Sequence, residues 1–102
     1  MPGAIDYKQE VNTLLATEVT DAGLKAQLTN GTIDPKKELY LDLGISVDDM
    51  KSLAPDFNDL IDKKGKVPKR YMKAEDLGGC KTVDAVYTLV GPSFPSSKLG
   101  KD

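Results

Sequence analysis

The N-terminal third of the chain carries the clearest hydrophobic periodicity. Between residues 5 and 19 apolar side chains recur every three or four positions, at Tyr7, Val11, Leu14, Leu15 and Val19. That spacing places them on one face of a helix, so the segment is predicted to be an amphipathic helix. Thr20 or Asp21 is suited to cap a shorter helical piece after it, and Asn30-Gly31 is typical of a turn.

The segment after this turn is predicted to be a loop. Asp34-Pro35 favours a brief helical turn, because proline is tolerated at the first position of a helix. Leu39, Leu41 and Leu43 then alternate as in a β-strand, but no partner strand is evident elsewhere in the chain. We therefore expect an extended, partly buried loop here.

A second helix is predicted to begin at Ser46. Its hydroxyl is suited to cap the backbone N–H of Asp49, and the acidic residues that follow complement the positive end of the helix dipole. The apolar stripe of this helix consists of Met50, Leu53, Phe57, Leu60 and Ile61. Pro55 predicts either a kink or a later helix that begins at Ser52 with the proline in its first turn. Gly65 is expected to end the helix in the left-handed conformation.

The C-terminal third is predicted to hold a loop and one more strong helix. The loop has room for a short helix at about residues 71 to 76. A final helix is expected from its cap at Thr82 to Val90, with Gly91-Pro92 ending it. Residues 93 to 102 have little to bury and are predicted to be a disordered tail. Together these elements predict one all-α domain at residues 1 to 92.

Composition narrows the classes of function. The 102 residues contain no His and one Cys, Cys80, so imidazole bases, zinc fingers and internal disulfides are excluded. We therefore expect no catalytic set, no metal site and no enzyme activity of the chain itself. No apolar run approaches the roughly 18 residues of a membrane span, and no signal-peptide core is evident. A soluble cytoplasmic protein is expected.

Three stretches of sequence together resemble the acyl carrier protein family, over about residues 5 to 90. The first is the approach Ile33 to Gly44, which ends in Asp42-Leu43-Gly44. The second is the acidic helix headed by Ser46, and the third is Lys81-Thr82-Val83-Asp84-Ala85-Val86 at the start of the last helix. The resemblance implies a small four-helix bundle with a long first loop. It also implies a phosphopantetheine arm on a serine at the start of the second helix.

The same resemblance assigns roles to particular residues. Ser46 would hold a 4'-phosphopantetheine arm carrying an acyl, polyketide or aminoacyl group as a thioester. The implied partners are a phosphopantetheinyl transferase and acyl- or polyketide-processing enzymes. The docking residues would be Asp48, Asp49, Met50, Asp56 and Asp59. The residues that shelter the acyl group would be Leu43, Leu53, Phe57, Val83 and Val86.

The sequence departs from the family pattern at the attachment point. One residue separates Ser46 from Gly44, where the family has two, and Ile45 stands in place of the usual Asp. An ungapped alignment puts Val47 at the attachment position, and a valine offers no hydroxyl. Ser46 as a helix cap alone, and Ser52 as the attachment point, are the alternatives.

Other residue clusters leave a second class of function open. Six basic residues lie between Lys63 and Lys73, directly after the acidic helix. An unmodified interaction module could use these adjoining acidic and basic surfaces, whereas the net charge of −2 disfavours a nucleic-acid partner. Cys80 is either a thiolate stabilised by the last helix and Lys81 or a small buried apolar residue.

Overall fold

The structure, a computed structural model, describes residues 7 to 94, and the regular elements in this part of the chain are all helices, with one isolated β-bridge between Glu38 and Thr82. The prediction of an all-α fold is therefore confirmed for the described residues. The helices are α1 (Tyr7–Ala16), α2 (Ala22–Asn30), α3 (Val47–Ser52), α4 (Ala54–Lys64), α5 (Ala74–Gly78) and α6 (Val83–Val90), followed by a 3-10 turn at Gly91–Ser93. Within residues 7 to 94, no helix combines the length and the apolar character needed to cross a membrane.

The predicted first helix is shorter than its hydrophobic pattern. It ends at Ala16, because the N–H groups of Thr17 and Val19 each donate to the carbonyl three residues back and so tighten the last turn. Asp21 caps α2 by accepting the N–H of Leu24 at 3.0 Å. Gly31 closes α2 at φ 82°, a left-handed conformation that glycine adopts without a steric penalty.

Pro55 lies in the first turn of a separate helix α4, as the second of the two predicted alternatives has it, but α4 begins at Ala54 and Ser52 is the last residue of α3. Proline has no N–H to donate to the carbonyl four residues back, so the hydrogen-bond ladder is interrupted at Leu53, the residue shared by the two helix ends. The prediction that Gly65 is left-handed is wrong, since its φ is −73°. A Cβ at this position would lie 2.5 Å from the Ile61 carbonyl oxygen and 3.0 Å from that of Ser93. Gly65 is therefore required by close packing of the backbone.

The loop before Ser46 is compact, and the prediction of an extended conformation is wrong. The N–H groups of Asp42 and Leu43 both donate to the Glu38 carbonyl, and the Asp42 carboxylate accepts the Glu38 N–H at 2.7 Å. Because the chain turns here, Leu39 and Leu43 are buried while Leu41 is 74% exposed. The Leu39 N–H donates to the Lys81 carbonyl at 2.8 Å, which joins this loop to the start of α6.

The short helix between α4 and α6 begins later than predicted. Met72 cannot join it, because its backbone N–H and carbonyl are both bonded to the Asn58 side chain of α4, at 2.7 and 3.2 Å. Helix α5 therefore starts at Ala74. The predicted final helix is confirmed, with the Thr82 hydroxyl accepting the Ala85 N–H at 3.1 Å.

The predicted disordered tail begins too early in the chain. Ser93 and Phe94 are each 1% exposed. The Ser93 hydroxyl donates to the Arg70 carbonyl at 2.6 Å, and the Phe94 ring stacks on Tyr7 with centroids 5.9 Å apart. These two residues belong to the domain because they complete its core beside α1. The rest of the predicted tail, residues 95 to 102, lies outside the described residues.

Candidate functional site

Ser46 forms the N-terminal cap of α3. Its Oγ accepts the Asp49 N–H at 3.0 Å, and the Asp49 carboxylate accepts the Ser46 N–H at 3.2 Å. This reciprocal pair is a capping box, which satisfies two backbone donors at the helix end. The Ser46 side chain is half-buried. The cap predicted from the sequence is confirmed, and Asp49 is held inward by it instead of standing fully exposed.

The residues on either side of Ser46 fix its position. Gly44 has φ 74°, and the space around it is open, so its backbone conformation alone selects glycine. Ile45 is 1% exposed and its N–H donates to the Leu39 carbonyl at 2.8 Å. Val47, the first residue of α3, is 53% exposed. The chain therefore passes from the core to the surface across Ser46.

An apolar groove lies beside this serine. It has a volume of about 450 Å³ and is formed by the loop before α3, by α3 itself, and by the segment between α5 and α6. Its lining residues are Glu38, Leu39, Tyr40, Leu41, Ile45, Val47, Met50, Gly78, Gly79, Cys80 and Lys81. Ile45 and Val47, which flank Ser46 in the chain, both belong to this lining. Ser46 therefore lies at the edge of a groove large enough for a small apolar group.

The groove was not predicted from the sequence. Its rim includes three large apolar side chains that are mostly exposed, Tyr40 at 67%, Leu41 at 74% and Val47 at 53%. The signal in the sequence was the apolar run from Leu39 to Leu43, which is more apolar than a surface loop needs to be. Which of these residues face the core became clear only from the turn that the loop makes.

The five predicted acyl-shelter residues do not surround a cavity. Leu43, Leu53, Phe57, Val83 and Val86 are all between 0 and 4% exposed and belong to the packed core. None of them lines the groove beside Ser46. In this structure the helices close on one another over these side chains, and their role in sheltering an acyl group stays a prediction.

Of the five predicted docking residues, three are exposed, Asp49 is half-buried in the capping box, and Met50 is buried. Asp48, Asp56 and Asp59 are exposed, and Asp59 pairs with Lys63 at 3.2 Å. Met50 is 1% exposed and therefore adds little surface for docking in this structure. Its side chain lines the groove because the helix turns that position toward the core.

Ser52 is tied to its own helix. Its hydroxyl donates to the Asp48 carbonyl four residues earlier, at 2.9 Å. Such a bond is common for a serine inside a helix. Ser52 therefore differs from Ser46, the other candidate attachment point, which caps α3 and lies at the edge of the groove.

The surroundings of Cys80 lower the reactivity of its thiol. Partial burial raises the pKa of this thiol, and the Asp76 carboxylate raises it further. Both effects favour the protonated form, which is the less nucleophilic one. The raised pKa disfavours the alternative of a stabilised thiolate, and Cys80 lines the groove.

The basic residues after α4 have separate roles. Lys64 pairs with Glu10 of α1 at 2.6 Å. Lys69 donates to three carbonyl oxygens at the end of α4, those of Ile61, Asp62 and Gly65, at 3.0 to 3.2 Å. The ammonium group gives the Asp62 carbonyl at the helix end a donor, and it is a second donor to the Ile61 carbonyl, which also accepts the Gly65 N–H at 2.7 Å. The sequence places six basic residues at and after the end of α4 but does not by itself identify Lys69 as the one that caps the helix.

Within residues 7 to 94, no group of three or more Cys, Asp or Glu side chains is arranged to hold a metal ion. Comparison with known proteins adds no family: no family model, no curated protein and no solved structure matches this chain.

Proposed function

We propose that this protein is a carrier domain similar to the acyl carrier proteins, with a 4'-phosphopantetheine arm attached to Ser46. The observation that carries the proposal is the position of Ser46 between Ile45 and Val47, two residues that line the adjacent apolar groove. A group tethered at Ser46 would have an apolar surface within reach. In this proposal α3 and α4 correspond to the second helix of a four-helix bundle, and α2 is an addition within the first loop.

The local chemistry of Ser46 fits such an attachment. A hydroxyl oxygen has two lone pairs, and the capping bond from the Asp49 N–H uses one of them. The residue is half-buried and not closed off in the core, so part of its surface is open to an external transferase. When attached, the arm would supply a thiol for a thioester. The chain itself would hold and present the arm, and the partner enzymes would supply the chemistry.

The groove is the proposed shelter for an acyl, polyketide or aminoacyl cargo. Leu39, Ile45 and Met50 contribute buried apolar side chains to its lining, and Tyr40 and Leu41 extend it outward. Covering these exposed side chains with an apolar cargo removes apolar surface from water, which favours the sheltered state. The proposed cargo site thus differs from the packed core residues that the sequence indicated.

The proposed docking surface for the transferase and the processing enzymes is acidic. Asp48 at the start of α3 and Asp56 in the first turn of α4 are both exposed. Exposed carboxylates on neighbouring helices attract basic surfaces and raise association rates. Asp59 belongs to the same proposed surface, although its pairing with Lys63 reduces its net effect.

The proposal is tested by intact-mass measurement after incubation with coenzyme A and a broad-specificity phosphopantetheinyl transferase. We expect the wild-type chain to gain one phosphopantetheine group. Ser46→Asp is the matched control, because aspartate also caps helices but offers no hydroxyl. We expect no gain for Ser46→Asp and a normal gain for Ser52→Ala. No gain in the wild type, or a gain that persists in Ser46→Asp, would contradict the proposal.

A second candidate function is an unmodified interaction module. The capping box favours it, because this arrangement by itself accounts for a serine at position 46. The exposed Val47 at the first position of α3 favours it as well, since it leaves an apolar side chain where the ungapped alignment puts the attachment point. This function predicts no gain of mass and a protein complex that weakens as salt is added. A complex insensitive to ionic strength would count against it.

A further inference from the structure

Basic residues are concentrated in one short segment of the chain. Residues 63 to 73 contain six of the fourteen Lys and Arg side chains and none of the sixteen Asp and Glu side chains. We call this segment the basic tip. Because the whole chain carries a net charge of −2, the remainder of the molecule is strongly acidic and the charge is unevenly distributed.

The middle of the basic tip is an exposed apolar turn. The chain bends at Val67 and Pro68, and Val67 is 84% exposed, the highest value among the exposed large apolar residues of the described chain. Lys69 closes the turn by donating to the Gly65 carbonyl at 3.2 Å. The Lys66 N–H donates to the Ser93 carbonyl at 2.9 Å and ties the turn to the body of the domain. The protruding side chain is therefore held in place by bonds on both sides.

The backbone of this turn is well suited to an apolar environment. The N–H groups of Gly65 and Lys66 are already bonded within the protein, to the carbonyls of Ile61 and Ser93. Pro68 has no N–H at all. An ordinary loop loses hydrogen bonds to water when it enters an apolar layer, and that loss is costly. In this turn fewer backbone N–H groups depend on water than in an ordinary loop, so less hydrogen bonding is lost when the turn enters an apolar layer.

Exposed cations flank the turn in the sequence. Lys66, Arg70 and Lys73 are exposed, and none of them forms an ion pair with another residue between 7 and 94. The Tyr71 ring beside them is 52% exposed, and its hydroxyl donates to the Asp62 carboxylate. The tip therefore combines unpaired positive charge, an aliphatic apex and an aromatic ring.

We propose that the basic tip binds lipid surfaces that carry anionic headgroups, with Val67 entering the interface and the neighbouring cations contacting the headgroups. Positive charge alone would also suit nucleic acid or an acidic protein. The apolar apex favours lipid, because an aliphatic side chain gains by leaving water for the acyl boundary and gains little against phosphates in solution. Juxtaposed cations are attracted to an anionic leaflet over about a Debye length. This surface is separate from the groove beside Ser46 and does not depend on the carrier proposal.

The test is vesicle flotation of the full chain. Vesicles of phosphatidylcholine alone are compared with vesicles made of equal parts of phosphatidylcholine and phosphatidylglycerol. We expect binding to the anionic vesicles, loss of that binding in high salt, and none to phosphatidylcholine alone. No binding to the anionic vesicles would overturn the proposal.

Two pairs of variants separate the contributions of charge and apolar contact. Lys66→Glu with Arg70→Glu should weaken binding about tenfold or more, whereas Lys25→Glu with Lys36→Glu makes the same change in net charge far from the tip in sequence and should have a small effect. Val67→Ser should weaken binding about fivefold, and Ala26→Ser, at an exposed apolar site of α2 outside both the basic tip and the groove, should not. Circular dichroism checks that each variant is folded. Equal losses in the test and control variants would overturn the proposal.

A competition experiment distinguishes lipid from other anionic partners. Polyglutamate or a single-stranded oligonucleotide is added to the anionic vesicles at matched charge. Retention of the protein on the vesicles, with the Val67 dependence intact, supports the lipid surface. Transfer of the protein to either polymer, with no effect of Val67→Ser, contradicts it and indicates a nucleic-acid or protein partner.

Discussion

The Tyr87 hydroxyl donates a 2.5 Å hydrogen bond to the Asn12 side-chain oxygen, joining two buried residues that are 75 positions apart in the chain. Asn12 lies on α1 and Tyr87 on α6, so the bond links the first and last α-helices of the described domain. Asn12 is 3% exposed, and a polar group buried to this extent is costly unless it is bonded.

Removing this hydroxyl should destabilise the domain. We expect Tyr87→Phe to lower the free energy of unfolding by about 1 to 3 kcal/mol, because the Asn12 oxygen then loses its buried partner. Urea denaturation followed by circular dichroism provides the measurement. Combining Tyr87→Phe with Asn12→Leu should cost less than the sum of the two single changes. Strict additivity would show that the two groups are not coupled.

Lys69 should contribute to stability more than its neighbours in the basic tip. Lys69→Met keeps most of the aliphatic chain but removes the ammonium group from three carbonyls at the end of α4. We expect a loss of about 1 to 3 kcal/mol in the free energy of unfolding. Lys66→Met is the matched control and should change it by less than about 0.5 kcal/mol. Equal effects of the two changes would contradict the capping role.

Gly65 and Gly79 both have a negative φ, which alanine also adopts, but they should respond differently to a methyl group. A Cβ on Gly65 would lie 2.5 Å from the Ile61 carbonyl oxygen, whereas a Cβ on Gly79 would lie 3.5 Å from its nearest neighbour, the Asp76 carbonyl oxygen. We expect Gly65→Ala to lower the free energy of unfolding by about 1 to 3 kcal/mol and Gly79→Ala to leave it nearly unchanged. Thermal and urea unfolding measure the difference. If Gly65→Ala left the free energy of unfolding unchanged, the C-terminal end of α4 would be able to move away from residue 65 without cost.

The stability of α3 should depend on the capping oxygen at position 46. Ser46→Ala should cost about 1 kcal/mol in the free energy of unfolding, and Ser46→Asp should restore most of it. This measurement by urea unfolding is independent of any attached arm. If alanine and aspartate behave alike, the capping box contributes little to folding.

Cys80 should react slowly with thiol reagents at neutral pH. Burial and the Asp76 carboxylate both raise the pKa of this thiol, so only a small fraction is thiolate near pH 7. We expect its alkylation rate to rise with pH and reach half its maximum above the pH found for a small free thiol. Asp76→Asn should shift that midpoint downward, because it removes the negative charge. A midpoint below that of the free thiol would contradict the direction of the shift.

The helices that the sequence predicted correctly are those with a cap and a strong apolar stripe. Thr82 and the apolar residues of α6 identified that helix and both of its ends. Ser46 and Pro55 identified the start of α3 and the break before α4. Side-chain caps and missing N–H groups act within a few residues of their own position. Because their effects are local, the sequence is sufficient to predict them.

The site was less predictable than the helices. Leu43 and Phe57 have the apolar character of pocket residues, yet they are packed in the core, while Leu41 of the same apolar run stands exposed. Periodicity assigns side chains to a face of an element but does not say whether two faces meet tightly or leave a groove. That outcome depends on how the loop turns against α3 and the segment before α6.

Read alone, the order of residues was sufficient for an all-α chain, for the caps at Ser46 and Thr82, and for the acidic and basic segments, because hydrophobic spacing, capping chemistry and charge are local properties. The groove beside Ser46, the ammonium of Lys69 on α4 and the place of Phe94 against Tyr7 came from the folded arrangement. Each of these three features brings together residues that are distant in the chain. None of them can therefore be assigned to particular residues before the positions of the helices are known.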